Sequence, residues 1–211
     1  MTSLNVAICQ AAPIPLDFTG GIEKATRLAR EAIDNGAQMV AFGETFLGGY
    51  PLWLDEAPGA ALWDHPGTKA LHAIMLDQAI VSGDERLLPL QELCDETGAC
   101  ISIGAHERVR QSLYNNQLMF RPGEAPSDHR KLVPTHGEQL NGGGSMIVAP
   151  DARVVAQAGE GEEILHAELD LSEIGGGLAS LDTDGHYSRP DVFQLNVDTR
   201  AKDGVNWEMD Q

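Results

Sequence analysis

Apolar residues enter this chain alternately as short continuous runs and as helical stripes. Residues 4–10 form a short apolar run that stops before Ala-Ala-Pro, the pattern of a buried strand. Over 19–35 the apolar positions Ile22, Ala25, Ala29, Ala32 and Ile33 fall on one helical face with charges opposite, and Asn35-Gly36 supplies the stop. Residues 38–43 (QMVAFG) return to strand. A β-α-β order of this kind predicts two parallel strands with the helix covering one sheet face.

A loop rich in glycine and proline follows, with Tyr50, Trp53 and Trp63 in it. Such aromatics either line a substrate mouth or pack the loop onto the domain. Helices are expected over 68–80 and 84–97, the second turning Leu87, Leu90, Leu93 and Cys94 inward and ending at Gly98. Strands are expected over 100–105 and 115–120. Arg121-Pro122-Gly123 then turns the chain toward the segment HRKLVPTHGEQL. Beyond it, SMIVAP, a Pro150-Asp151 turn and RVVAQA predict a hairpin, and 164–169 predicts one more strand. Pro190 excludes a continuous helix in the tail.

Length and charge narrow the function classes. The 211 residues, 42% of them hydrophobic, suffice for one buried core and are most simply one domain. Acids outnumber bases 32 to 14, and the net charge of −18 excludes a large phosphate-binding surface, hence nucleic acid as a partner. No stretch approaches the roughly 20 apolar residues that cross a bilayer, and the first residues lack a secretory pattern. Three cysteines, Cys9, Cys94 and Cys100, sit in apolar surroundings, which fits buried thiols in the reducing cytoplasm better than a disulfide framework.

Few residues suggest chemistry individually. Glu44 ends the run MVAFG, where a strand delivers it to the rim of a sheet, either desolvated and so raised in pKa or turned to water. Lys131 and Glu138 each read alone as surface residues. Asp182, Asp184 and Gly185 echo part of a calcium loop whose closing glutamate is missing. His65 and His72 could share a helix face, and His129 and His136 flank the lysine and would order its loop. No metal or cofactor motif is complete, so neither is expected.

The segments NVAICQAAP, VAFGETFLGGYPLW, IGAHER, SLYNNQLMF, HRKLVPTHGEQL, GGSMIVAPD and GHYSRPDVF change that picture. In this order they resemble the nitrilase branch of the carbon–nitrogen hydrolase superfamily over nearly the whole chain. The resemblance implies an α/β fold, an α-β-β-α sandwich of two mixed sheets flanked by helices. It implies a Cys–Glu–Lys triad in which Glu44 takes the thiol proton and Lys131 stabilises charge on the tetrahedral intermediate, with Glu138 holding them in register. The substrate class would be a nitrile or amide, hydrolysed through a covalent thioimidate without a cofactor.

One departure from that pattern is decisive. The family segment that presents the cysteine follows PTHGE, yet here only Asn141 and Gly142 separate HRKLVPTHGEQL from GGSMIVAP, and no cysteine follows Cys100. The domain 1–211 is then a 1–140 part bearing the glutamate and lysine motifs joined directly to a 141–211 hairpin and tail. Motifs intact on both sides point to a recent or artificial excision. Cys9, Cys94 and Cys100 read as core residues, and Ser145 as a strand start. The expectation is an incomplete sandwich with exposed edges and apolar faces, prone to self-association and inactive as it stands. The alternative is a non-catalytic relative acting as a binding or oligomerisation partner.

Overall fold

The computed structural model describes residues 3–51, 62–131 and 143–178. Its centre is a six-stranded mixed sheet in the order β5-β4-β3-β2-β1-β8, formed by β1 (Ser3–Gln10), β2 (Met39–Phe42), β3 (Cys100–Val109), β4 (Ser112–Phe120), β5 (Ser127–Arg130) and β8 (Glu163–Asp170). The expected β-α-β unit is present. β1 and β2 pair in parallel, and helix α1 (Phe18–Asp34) connects them. Asp17 caps α1, its side chain accepting from the Gly20 N–H at 2.9 Å, and Gly36 at φ +95° closes it.

The buried stripe of α1 includes Ile22, Ala25, Ala29 and Ala32, as their spacing predicts, and adds Phe18 and Leu28. Helix α2 (Pro66–Gln78) buries no residue. A 3-10 turn, Glu85–Leu87, leads into α3 (Leu88–Thr97), where Leu90, Leu93 and Cys94 face inward and Gly98 takes the left-handed cap. The region of the second predicted helix is therefore split in two, because Pro89 sits at the start of α3. Helices α1 and α3 cover one face of the sheet over Ala7, Val40, Phe42, Ile101, Ile103, Leu118 and Phe120.

The opposite face of β1 and β8 is covered by the predicted hairpin, β6 (Met146–Val148) and β7 (Val154–Gln157). There Ile147, Ala156 and Ala158 meet Val6, Ile8, Leu165 and Ala167. Among the described residues this hairpin is all there is of a second sheet, and no long helix backs it. The last helix, α4 (Glu173–Leu178), has six residues. The outer hairpin residues Met146, Val148 and Val154 are 46%, 45% and 48% exposed.

Three expectations need correction. β3 and β4 are longer than predicted and form one continuous hairpin from Cys100 to Phe120. His129 does not order a loop, because it lies in β5 opposite Gln117. Trp63 is 97% exposed and so does not pack the glycine-rich loop onto the domain, while Trp53 lies outside the described residues. His65 caps α2, its Nδ1 accepting from the Gly67 N–H at 3.1 Å, so the spacing to exposed His72 reflects a helix start.

Candidate functional site

Alternation along the strands decides which side chains can meet. β3 and β4 place His106 opposite Asn115 on the sheet face away from α1 and α3. The Lys131 N–H donates to the Asn115 carbonyl at 2.8 Å, which carries the β4–β5 ladder one residue past β5. Arg130 and Lys131 therefore point to opposite faces. Glu44 arrives from the turn after β2, and Lys131 Nζ donates to Glu44 Oε1 at 2.7 Å. Asn115 Nδ2 donates to the same oxygen.

Glu44, Lys131, Asn115 and His106 thus form one cluster drawn from β3, β4 and the ends of β2 and β5. It is half open, the Lys131 side chain being 28% exposed and that of Glu44 41%. Of the two settings foreseen for Glu44, this is the more solvated. His106 is more enclosed. Its Nε2 lies 2.9 Å from the Gly49 carbonyl, and since a carbonyl only accepts, Nε2 carries the hydrogen. Burial lowers the His106 pKa, against the opposing effects of the Gly49 bond and the Glu44 charge.

The turn carrying Glu44 is held by close backbone approach. Leu47 N donates to the Gly104 carbonyl at 2.9 Å, and Gly104 N to the Gly43 carbonyl at 3.3 Å. A Cβ on Gly104 would stand 2.3 Å from Thr45 N and 2.8 Å from the Glu44 carbonyl carbon. Thr45, next to Glu44, has φ +52° although it is not glycine, and is 1% exposed. A buried residue in that conformation stores strain beside the carboxylate.

Beneath the cluster, on the helix side, Arg130 donates to both Glu107 oxygens at 2.6 and 2.7 Å. Asn116 Nδ2 bridges Glu107 and Asp128 at 2.9 Å each. Hydrogen bonding to Glu107 raises the Arg130 pKa further, its charge also contributing. Residue 130 thus clamps the strand end whose next residue is Lys131.

The three thiols lie elsewhere. Cys9 and Cys94 are in the helix-side core, and burial, with smaller contributions from nearby acidic groups, pushes their pKa values up to about 12 and about 11. Cys100 begins β3, six positions before His106, which at ~3.3 Å per residue is roughly 20 Å along the strand. Ser145 opens the hairpin, its N–H donating to Gln10 Oε1 at 2.8 Å. Glu138, His136, Asp182, Asp184 and Gly185 lie outside the described residues.

Asn115, His106 and Gly104 were not singled out from sequence. The signal for them was the alternation of IGAHER against SLYNNQLMF, which becomes informative only once the two are registered as a hairpin.

A family model described as carbon-nitrogen hydrolase matches residues 5–142 and, separately, 134–176. The two matches overlap in the segment where the expected break falls. An aliphatic nitrilase of Sinorhizobium fredii is 27% identical over an alignment of 310 residues that covers 97% of this chain and 99% of the relative. With 211 residues here, much of that aligned length has no counterpart in this chain. An arylacetonitrilase of Hypocrea virens is 35% identical over 137 residues, 64% of this chain but 39% of its own length. The structure of Saccharomyces cerevisiae Nit3, a member of branch 10 of the nitrilase superfamily, superposes with TM-score 0.63 at 15% identity, covering 88% of this chain and 97% of Nit3.

Proposed function

Because this chain belongs to the carbon–nitrogen hydrolase family, we propose that Glu44 and Lys131 are the base and the cation of a nitrilase-type site whose nucleophile is not supplied by this chain. The complete reaction would begin with a thiol giving its proton to Glu44 and attacking the nitrile carbon. Lys131 would stabilise the developing charge, and water would release ammonia and the carboxylate from the thioimidate. Both relatives aligned above are named for nitrile hydrolysis, one for aliphatic nitriles and one for arylacetonitriles, so a nitrile is the favoured substrate class.

The observation that carries this reading is the direct Lys131–Glu44 bond at 2.7 Å, with no cysteine in the chain placed to stand between them. Cys9 and Cys94 are on the wrong side of the sheet. A thiol of pKa near 12 is ionised in only about one molecule in 10⁵ at neutral pH. Cys100 lies too far along β3. The chain on its own then holds a paired base and cation that have nothing to activate.

The direct test is ammonia release from aliphatic, arylaliphatic and aromatic nitriles and the matching amides. The expected result is release no faster than from heat-denatured protein. Turnover abolished by iodoacetamide would overturn the proposal. The exposed outer face of the hairpin favours a companion reading, in which the chain associates with itself.

A further inference from the structure

The six-stranded sheet ends on one side at β5, and among the described residues no strand pairs with its outer edge. All of Ser127 to Arg130 are exposed. The ladder to β4 fixes which backbone groups face outward. The Lys131 N–H donates to the Asn115 carbonyl, and the register sets Arg130 opposite Asn116 and His129 opposite Gln117. Residues 127, 129 and 131 therefore turn their N–H and C=O groups toward β4, and Asp128 and Arg130 turn theirs away from it. Backbone groups presented in this way are a template for another strand.

The two outward residues carry opposite charges, one on each side of His129. Both side chains are held near the edge, Asn116 Nδ2 donating to Asp128 Oδ2 and Arg130 donating to Glu107 through Nε and Nη2. Asp128 Oδ1 and Arg130 Nη1 take no part in those bonds. Charge on a strand edge ordinarily keeps sheets apart, because like meets like. Here the order of the charges is self-complementary. Laid antiparallel to a second copy, with a two-fold axis at His129, the strand sets Asp128 opposite Arg130 of the second copy, and the reverse. Both are then hydrogen-bonding positions, so every outward backbone group of the two strands is used and each cross-strand pair joins opposite charges. Neighbouring registers do not achieve this. An axis at Asp128 or at Arg130 opposes like charges, and an axis at Asp128 also sets Pro126, which has no N–H, opposite Arg130.

We propose that β5 is the seam of a two-fold homodimer, in which the strands of two copies pair antiparallel about His129 and join their sheets into one. The seam lies at the far end of the sheet from the β6–β7 hairpin. It therefore depends neither on that apolar face nor on the function proposed for Glu44 and Lys131. A strand this short makes a small interface, so the dimer is weak, with a dissociation constant on the order of 100 µM.

The test is disulfide trapping of the full chain with oxidised glutathione, read on non-reducing gels. At the axis, facing residues have Cα atoms about 4.5 Å apart, within the range a disulfide spans. His129→Cys is expected to give a covalent dimer that dithiothreitol reverses. Ser127→Cys is the control, because the two copies of that position stand about four residues apart along the seam, roughly 13 Å. It is expected to cross-link at least tenfold less, as is the unsubstituted chain. Adding Asp128→Lys to His129→Cys opposes two cations at each pair and is expected to cut trapping by roughly tenfold. Circular dichroism checks the fold of that variant, and Asp128→Asn, expected to cut trapping less, replaces it if it does not fold. Equal trapping at positions 127 and 129, or trapping undiminished by the change at Asp128, would overturn the proposal. A dimer seen in sedimentation that His129→Cys does not trap would overturn it too, and would assign association to another face.

Discussion

Two ion pairs border each other across β5, and their burial separates their energetic roles. Lys131–Glu44 is a half-exposed pair, of the kind that contributes at most about 1 kcal/mol to stability. Glu107 is 6% exposed and takes two bonds from Arg130 and one from Asn116. Its loss strands a half-solvated guanidinium and a buried amide. Glu107→Ala should cost about 2 kcal/mol by the scale of hydrogen bonds to charged groups, whereas Lys131→Met should cost less than 1. Urea midpoints at constant m-value compare the two, and equal losses would contradict the burial argument.

His106 adds a pH dependence whose sign follows from burial. Its native pKa is lowered, so the unfolded chain, titrating near 6.5, binds the proton first as pH falls. The contribution is complete above that value and is lost progressively as pH drops toward the lower native pKa. The urea midpoint should fall between about pH 7 and pH 5.5, and His106→Gln should flatten that decline. An unchanged slope in the variant would show that His106 is not its source. Thiol labelling reports on the same scale. Iodoacetamide at neutral pH should leave Cys9 and Cys94 unmodified in the native chain and reach both in denaturant, as peptide mass spectrometry can read.

At the scale of elements, the β1-α1-β2 unit was legible because one pattern recurs on one face. Ala25, Ala29 and Ala32 are each 0% exposed, and Asn35-Gly36 ends the helix where its chemistry requires. The extent of the β3–β4 hairpin was not legible, since Arg108 to Ser112 is polar and pairing past Ala105 depends on the partner strand. The site shows the same division. Glu44 and Lys131 could be named from their flanking segments, but Asn115 and His106 come to the site only through register. Gly104 belongs here too, because its missing Cβ makes room for the turn that carries Glu44. Gly104→Ala would place a methyl group 2.3 Å from Thr45 N, against backbone that has no rotamer to yield. The expected cost is about 3 kcal/mol, with displaced amide resonances at residues 43–47. A substitution that leaves those resonances in place would show that the turn does not rely on this contact.

For the molecule as a whole, the incompleteness expected from the short junction after Leu140 has a physical counterpart. The helix-side face of the sheet is well covered, whereas the hairpin exposes Met146, Val148 and Val154 outward. Ile174 beyond it is 48% exposed. An apolar face of this kind favours association, opposed by the −18 net charge. Salt screens the repulsion and leaves the apolar term, so sedimentation should find more dimer or larger species at high salt. Met146→Lys with Val154→Glu should return the chain toward monomer. A monomer at every salt concentration, melting in one sharp transition, would contradict this.

Glu44 and Lys131 are proposed as a base and a cation that have no thiol between them. Intact-mass spectrometry of the chain, acid-quenched during incubation with excess aliphatic or arylaliphatic nitrile, tests this most directly, because a thioimidate adds the whole mass of the nitrile to the nucleophile. The unmodified mass is expected at every time point. A nitrile-mass adduct mapped to Cys9, Cys94 or Cys100 would contradict it.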